Sequence, residues 1–174
     1  EVAAVTNNHF DEDGLFGIWM LLARPAEDAP ERRLAVAAAE AGDFGTWTDP
    51  WAGRAAIVID DLPPNSTVQV VTCTDRAVAA GPKSPRNLDQ ARLLIQNLQA
   101  TQQSTDFLAG LAEATAALTR VEGAAKEVYL FSDMQRGGWE RQTSAIRVKC
   151  EEIKAQGTLF LVRCGDQPIH NVAI

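Results

Sequence analysis

The sequence predicts a three-layer α/β domain whose mostly parallel sheet is flanked by helices. Two observations lead there. Short apolar runs bounded by turn formers alternate with stretches whose apolar residues recur at helical spacing, the pattern of βαβ units with a sheet covered on both faces. The sharpest run, Glu127-Val128-Tyr129-Leu130-Phe131-Ser132, is β-branched and aromatic and delivers Asp133 at its end, as a buried parallel strand would. Right-handed crossovers bring the carboxyl ends of such strands to one edge of the sheet, where open α/β sheets bind their ligands.

In chain order, residues 1–8 (EVAAVTNN) read as a short strand. After it come His9-Phe10-Asp11-Glu12-Asp13-Gly14, then Leu15, Ile18, Trp19 and Leu22 at helical spacing. That places an acidic cluster where a strand gives way to a helix N-terminus, a position at which Asp11 or Asp13 serves as a cap. Capping accounts for one aspartate. It accounts less well for His9, Asp11 and Asp13 together.

Residues 24–30 form a proline-containing loop, and the alanine-rich residues 31–42 read as a helix stopped by Gly42. Asp49-Pro50 opens a helix to about Asp61, where Pro63-Pro64-Asn65-Ser66 makes a turn. Residues 67–73 (TVQVVTC) are a strand. Asn87 caps a helix with Leu88, Ala91, Leu94, Ile95 and Leu98 on one face, and Ser104-Thr105-Asp106 opens another with Phe107, Leu111 and Leu118 as its stripe. After the 127–131 strand, residues 139–156 read as a helix carrying Ile146, Cys150 and Ile153. Residues 158–164 (TLFLVRC) read as the last clear strand. The whole is a single α/β domain, residues 1–174, with a divergent N-terminal strand–helix segment at 1–49. Starting on Glu1 inside an expected strand, it reads as a piece of a longer protein.

Composition bounds the function. Hydrophobic content of 46% and charged content of 22% are those of a globular domain. A formal net charge of −7, without a Lys/Arg cluster, argues against a nucleic-acid partner, which needs a basic surface. No apolar run is long enough to span a bilayer. Cys73, Cys150 and Cys164 show no paired spacing and read as free, buried residues. Trp19 reads as core. Trp47, Trp51 and Trp139 lie in or beside expected loops, where packing over the sheet edge is a commoner use of an indole than anchoring a partner.

The expected strand-end edge gathers Asp11 and Asp13, then Asp75, Asp133 and Asp166, with Thr105 at a helix N-terminus facing it. Carboxylates plus a hydroxyl are hard oxygen donors, the set that holds Mg²⁺, Mn²⁺ or Ca²⁺ with water. Strand-end aspartates also serve as caps and turn formers. Other chemistry has little to stand on: His9 and His170 are the only histidines, and no P-loop, G-x-G-x-x-G or G-x-S-x-G is present.

From about Pro50 onward the chain resembles von Willebrand factor A-type domains, particularly those of large bacterial membrane-anchored proteins of planctomycete type. Three stretches carry the resemblance. Leu62-Pro63-Pro64-Asn65-Ser66 leads into the strand Val68-Gln69-Val70-Val71-Thr72. Ser104-Thr105-Asp106-Phe107-Leu108-Ala109-Gly110-Leu111 is similar to the family's threonine loop. Residues 127–133 with Met134-Gln135-Arg136 are similar to its aspartate strand. The resemblance implies a Rossmann-like fold and a protein-interaction module with a metal-ion-dependent adhesion site, in which Thr105 and Asp133 ligate Mg²⁺ or Mn²⁺ and a protein partner's carboxylate often completes the shell. It also implies a cell-envelope parent, whereas three unpaired cysteines fit a reducing compartment better. The family's Asp-x-Ser-x-Ser is missing, so the module is expected to be either divalent-cation-dependent or left with a degenerate metal site. Residues 34–44 (LAVAAAEAGDF) stand in its place, leaving Asp11 and Asp13 as the replacement candidates.

Residues 1–25 are instead similar to the first motif of DHH-type phosphoesterases, through His9-Phe10-Asp11-Glu12-Asp13-Gly14. That resemblance implies Mn²⁺ held by His9, Asp11 and Asp13 for phosphodiester hydrolysis, although the later Asp-His-His motif is absent. A metal-free structural scaffold is the third expectation. The two resemblances meet near residues 47–54.

Overall fold

The computed structural model describes residues 18–24, 50–73, 77–79, 86–98, 105–121, 125–132, 137–140 and 142–164. In chain order the elements are β1 (Ile18–Arg24), α1 (Pro50–Asp60), β2 (Thr67–Cys73), β3 (Ala77–Ala79), α2 (Leu88–Gln96), α3 (Phe107–Arg120), β4 (Glu127–Ser132), α4 (Gly137–Glu140), α5 (Thr143–Lys154) and β5 (Thr158–Arg163). The strands form one sheet in the order β3-β2-β1-β4-β5.

Two helical layers sandwich this sheet. Because side chains alternate across a strand, Tyr129 and Phe131 of β4 face one way, into a core with Val58 and Ile59 of α1 and Ala91 and Ile95 of α2. Val128 and Leu130 face the other way, toward Phe107, Leu111 and Leu118 of α3 and Ile146, Cys150 and Ile153 of α5. β2 divides likewise, Val68 and Val70 on the first face and Val71 and Cys73 on the second. All six residues of β4 are buried, as a strand covered on both faces requires. Burying a side chain such as Leu111 or Phe131 stabilises the domain by about 1.5–3 kcal/mol. The α/β class and the three layers match the sequence reading.

Strand directions add a feature the sequence did not announce. β2, β4 and β5 run parallel to one another, the β4–β5 ladder pairing Glu127 with Thr158 through to Ser132 with Arg163. β1 lies between β2 and β4 and runs against both, and β3 returns antiparallel along β2. The sheet is therefore mixed: the parallel expectation holds for the three strands flanked by helices and not for β1 and β3.

β1 also corrects the helix expected around Leu15, Ile18, Trp19 and Leu22. Residues 18–23 are apolar without interruption (IWMLLA), and such a run fits a strand buried between two others as well as it fits a helix face. The 139–156 helix is likewise two pieces, α4 and α5, with Thr143 Oγ1 donating to the Trp139 carbonyl at 2.6 Å where they meet. The strand expected at residues 1–8 and the helix expected at 31–42 lie outside the described residues.

Candidate functional site

Three strand ends and the start of α3 define the edge at which a ligand would sit. β2 ends there at Cys73, β4 at Ser132 and β5 at Arg163. Being antiparallel, β1 begins there: Ile18 stands opposite Cys73, and Trp19 opposite Phe131. Ile18, at which the chain enters β1, therefore stands at this edge, five residues after Asp13 in the sequence.

α3 starts at the same place. Its N-cap is Asp106, whose carboxylate accepts a hydrogen bond from the Ala109 amide at 3.0 Å, satisfying one of the orphan donors of the first turn. Asp106 also lies close to the end of β2. The Cys73 thiol is pushed up from its ordinary 9.0 to about 12, first by burial and then by the Asp106 charge. It is therefore a neutral core group at ordinary pH.

Thr105 precedes the cap and is half-buried. Its hydroxyl makes no hydrogen bond among the described residues. The capping duty that Ser104-Thr105-Asp106 could have shared falls to Asp106. One helical position further, Phe107 packs against Trp139 of α4 with ring centroids 4.1 Å apart. That ring pair ties the start of α3 to the chain leaving β4. Trp139 is only 6% exposed, so it is core and not an anchor for a partner. Its indole N–H is buried without an acceptor among the described residues.

Of the expected ligands, Thr105 is therefore placed at the strand-end edge. Asp11, Asp13 and Asp133 lie outside the described residues, as do Asp75, Asp166, His9 and His170. Ser132, the residue before Asp133, is fully buried at the end of β4, its carbonyl accepting from the Cys164 amide at 2.7 Å. Among the described residues no three His, Cys, Asp or Glu side chains gather closely enough to hold a metal. The three cysteines are free and buried. No described helix is long and apolar enough to cross a membrane.

Sequence reasoning missed a polar pair on the face under α1 and α2. There Tyr129 Oη donates to Glu127 Oε2 at 2.7 Å, both side chains buried. Spacing of two along a strand puts them on one face, which is the signal that was available. It lies at the start of β4, the opposite end from Ser132 and Thr105.

Fold and edge together define a three-layer α/β domain with a mixed five-stranded sheet. The chain belongs to a family described as "Family of unknown function (DUF6687)", whose sequence pattern matches residues 1–152. That match runs unbroken across residues 47–54, where the two partial resemblances meet. No curated protein and no solved structure matches the chain significantly.

Proposed function

We propose that this chain is a non-enzymatic protein-interaction module of von Willebrand A-like type whose binding edge holds a divalent cation, Mg²⁺ or Mn²⁺. Asp133 and Thr105 ligate the ion directly or through water. Asp11 and Asp13 replace the carboxylate and serines that the Asp-x-Ser-x-Ser motif would have supplied, and a carboxylate of the protein partner completes the shell.

One observation carries the reading. Thr105 stands at the carboxyl edge of β2 and β4 beside the cap Asp106, and its hydroxyl has no hydrogen-bond partner among the described residues. Two sequence neighbours of the other candidates support it. Ser132, which directly precedes Asp133, ends β4 at that edge, and Ile18, five residues after Asp13, begins β1 there. A hard cation matches this donor set, and it also relieves the repulsion among clustered carboxylates.

β1 is the central strand and runs in the reverse direction to both of its neighbours. The reversal explains how an acidic cluster before β1 can stand in for one expected after it.

A turnover assay separates this reading from the phosphoesterase one. Incubating the full chain with Mn²⁺ and a chromogenic phosphodiester is expected to give no hydrolysis above background. Mn²⁺-dependent hydrolysis that disappears in Asp13→Ala would overturn the proposal in favour of a DHH-like enzyme.

A further inference from the structure

The ring pair of Phe107 and Trp139 ties the segment that carries Thr105 to the one that carries Asp133. Phe107 is the first residue of α3 and stands two residues after Thr105. Its side chain is 2% exposed and shares a core cluster with Val71 and Cys73 of β2 and Leu130 of β4. Trp139 belongs to the same cluster and follows Ser132, the last residue of β4, by seven residues. The ring centroids lie 4.1 Å apart, with the planes inclined by 39°. In a close-packed interior, a shift of one ring displaces the other.

The points from which the two candidate ligands depart are held firmly. On one side the Asp106 carboxylate caps α3 through the Ala109 amide at 3.0 Å, and Thr105 is the residue before it. On the other, Ser132 is fully buried and its carbonyl accepts from the Cys164 amide at 2.7 Å. Asp133 is bonded to Ser132, so the two Cα atoms are about 3.8 Å apart. Firm mounting matters differently to different cations. Mg²⁺ demands a near-ideal octahedron at about 2.0–2.1 Å, whereas Ca²⁺ accepts about six to eight oxygens in a flexible shell at about 2.3–2.6 Å. Ligands fixed relative to one another therefore favour the smaller ion.

We propose that Phe107 and Trp139 are positioning residues that fix the separation of Thr105 from Asp133 and thereby select Mg²⁺ over Ca²⁺. Each ring acts through the segment it anchors and not on the ion itself. Supports of this kind, one step removed from the ligands, set metal affinity because they hold the ligands in register. The inference rests on the cation reading and adds the residues that make the site selective.

Calorimetric titration of the full chain with Mg²⁺ and, separately, with Ca²⁺ tests it. The unsubstituted chain is compared with Phe107→Leu, Trp139→Leu and the double variant, each verified as folded by circular dichroism. Mg²⁺ affinity is expected to fall about 10–100-fold in either single variant, with a much smaller change for Ca²⁺. The double variant should lose no more than the larger single loss, because both substitutions break one contact. An unchanged Mg²⁺-to-Ca²⁺ ratio in the folded single variants, or losses that add in the double one, would overturn the proposal and leave the cation reading standing. Absence of cation binding in the unsubstituted chain would overturn both. A second check needs no ring deletion: in the NMR spectrum of the unsubstituted chain, the Ala109 amide and the Trp139 indole N–H should shift with one midpoint as Mg²⁺ is added. A shift at Ala109 without one at Trp139 would also overturn the proposal.

Discussion

Ile18, the first residue of β1, stands opposite Cys73, the last residue of β2. This pairing sets where the N-terminal part of the chain meets the rest. It makes residues 18–24 the central strand of the sheet, hydrogen-bonded on both sides, and it brings the chain into that strand beside the start of α3. Residues 18–24 are therefore part of the sheet that the later strands build, and the family match spans residues 1–152.

Thr105 and Asp106 divide two jobs, and substitution should separate them. Asp106→Ala removes the acceptor of the Ala109 amide and is expected to cost about 1 kcal/mol of stability. Thr105→Val removes a hydroxyl that no described residue uses, and should change stability by no more than about 0.5 kcal/mol while weakening cation binding. Denaturant unfolding of both variants, read beside a cation titration, checks the division. Equal destabilisation by both would make Thr105 a structural residue.

Cys73 predicts a stability change at alkaline pH. Its thiol is raised to about 12 in the folded chain, by burial first and Asp106 second, so the native state keeps a proton that the unfolded chain releases near pH 9. The contribution is complete below that value and is lost as pH rises toward 12. Unfolding free energy should therefore fall more steeply between pH 9 and 12 in the unsubstituted chain than in Cys73→Ala. Matching slopes would contradict the buried, neutral thiol.

Gly157 sits where α5 hands over to β5, and the Lys126 carbonyl that accepts from Thr158 occupies the space a side chain would need. A Cβ there would meet the Lys126 carbonyl oxygen inside van der Waals contact and the Lys126 Cβ at 2.9 Å. Gly157→Ala is expected to force the first β4–β5 pair apart and to lower stability by about 1–3 kcal/mol. Thermal unfolding measures it. A neutral result would mean that this junction yields without cost.

Tyr129→Phe keeps the ring that stacks on Phe160 and deletes only the hydroxyl that donates to Glu127. Because Glu127 is buried, losing this donor should cost about 1–3 kcal/mol. Unfolding in urea, with an unchanged m-value, is the check. An unchanged midpoint would show that the Glu127 carboxylate is fully held by other groups.

Much of this fold was legible in the sequence, and the exceptions have physical causes. β2, β4 and β5 and helices α1, α2 and α3 follow from apolar runs, the cap at Asn87, the Ser104-Thr105-Asp106 opening, and stripes such as Phe107, Leu111 and Leu118. β1 did not, because Ile18, Trp19 and Leu22 satisfy helical spacing by accident within a run that is apolar throughout. An unbroken apolar run has no alternation to betray a strand. β3 has only three residues, too few to carry a period. The edge where ligands would gather was legible from strand ends, but its polarity was not. Nothing local to Ile18 reveals that β1 begins at that edge. The Tyr129–Glu127 pair needed a different question, namely which polar residues share a buried strand face.

The proposed interaction module stands on a divalent cation held by Asp133 and Thr105 at the carboxyl edge of the sheet. Isothermal titration of Mg²⁺ or Mn²⁺ into the full chain, and into Asp133→Ala with its secondary structure verified by circular dichroism, tests it most directly. Saturable binding that Asp133→Ala abolishes is the predicted result. No binding at millimolar cation, or binding that Asp133→Ala leaves intact, would contradict it. The first outcome would leave a metal-free scaffold, and the second a cation held elsewhere.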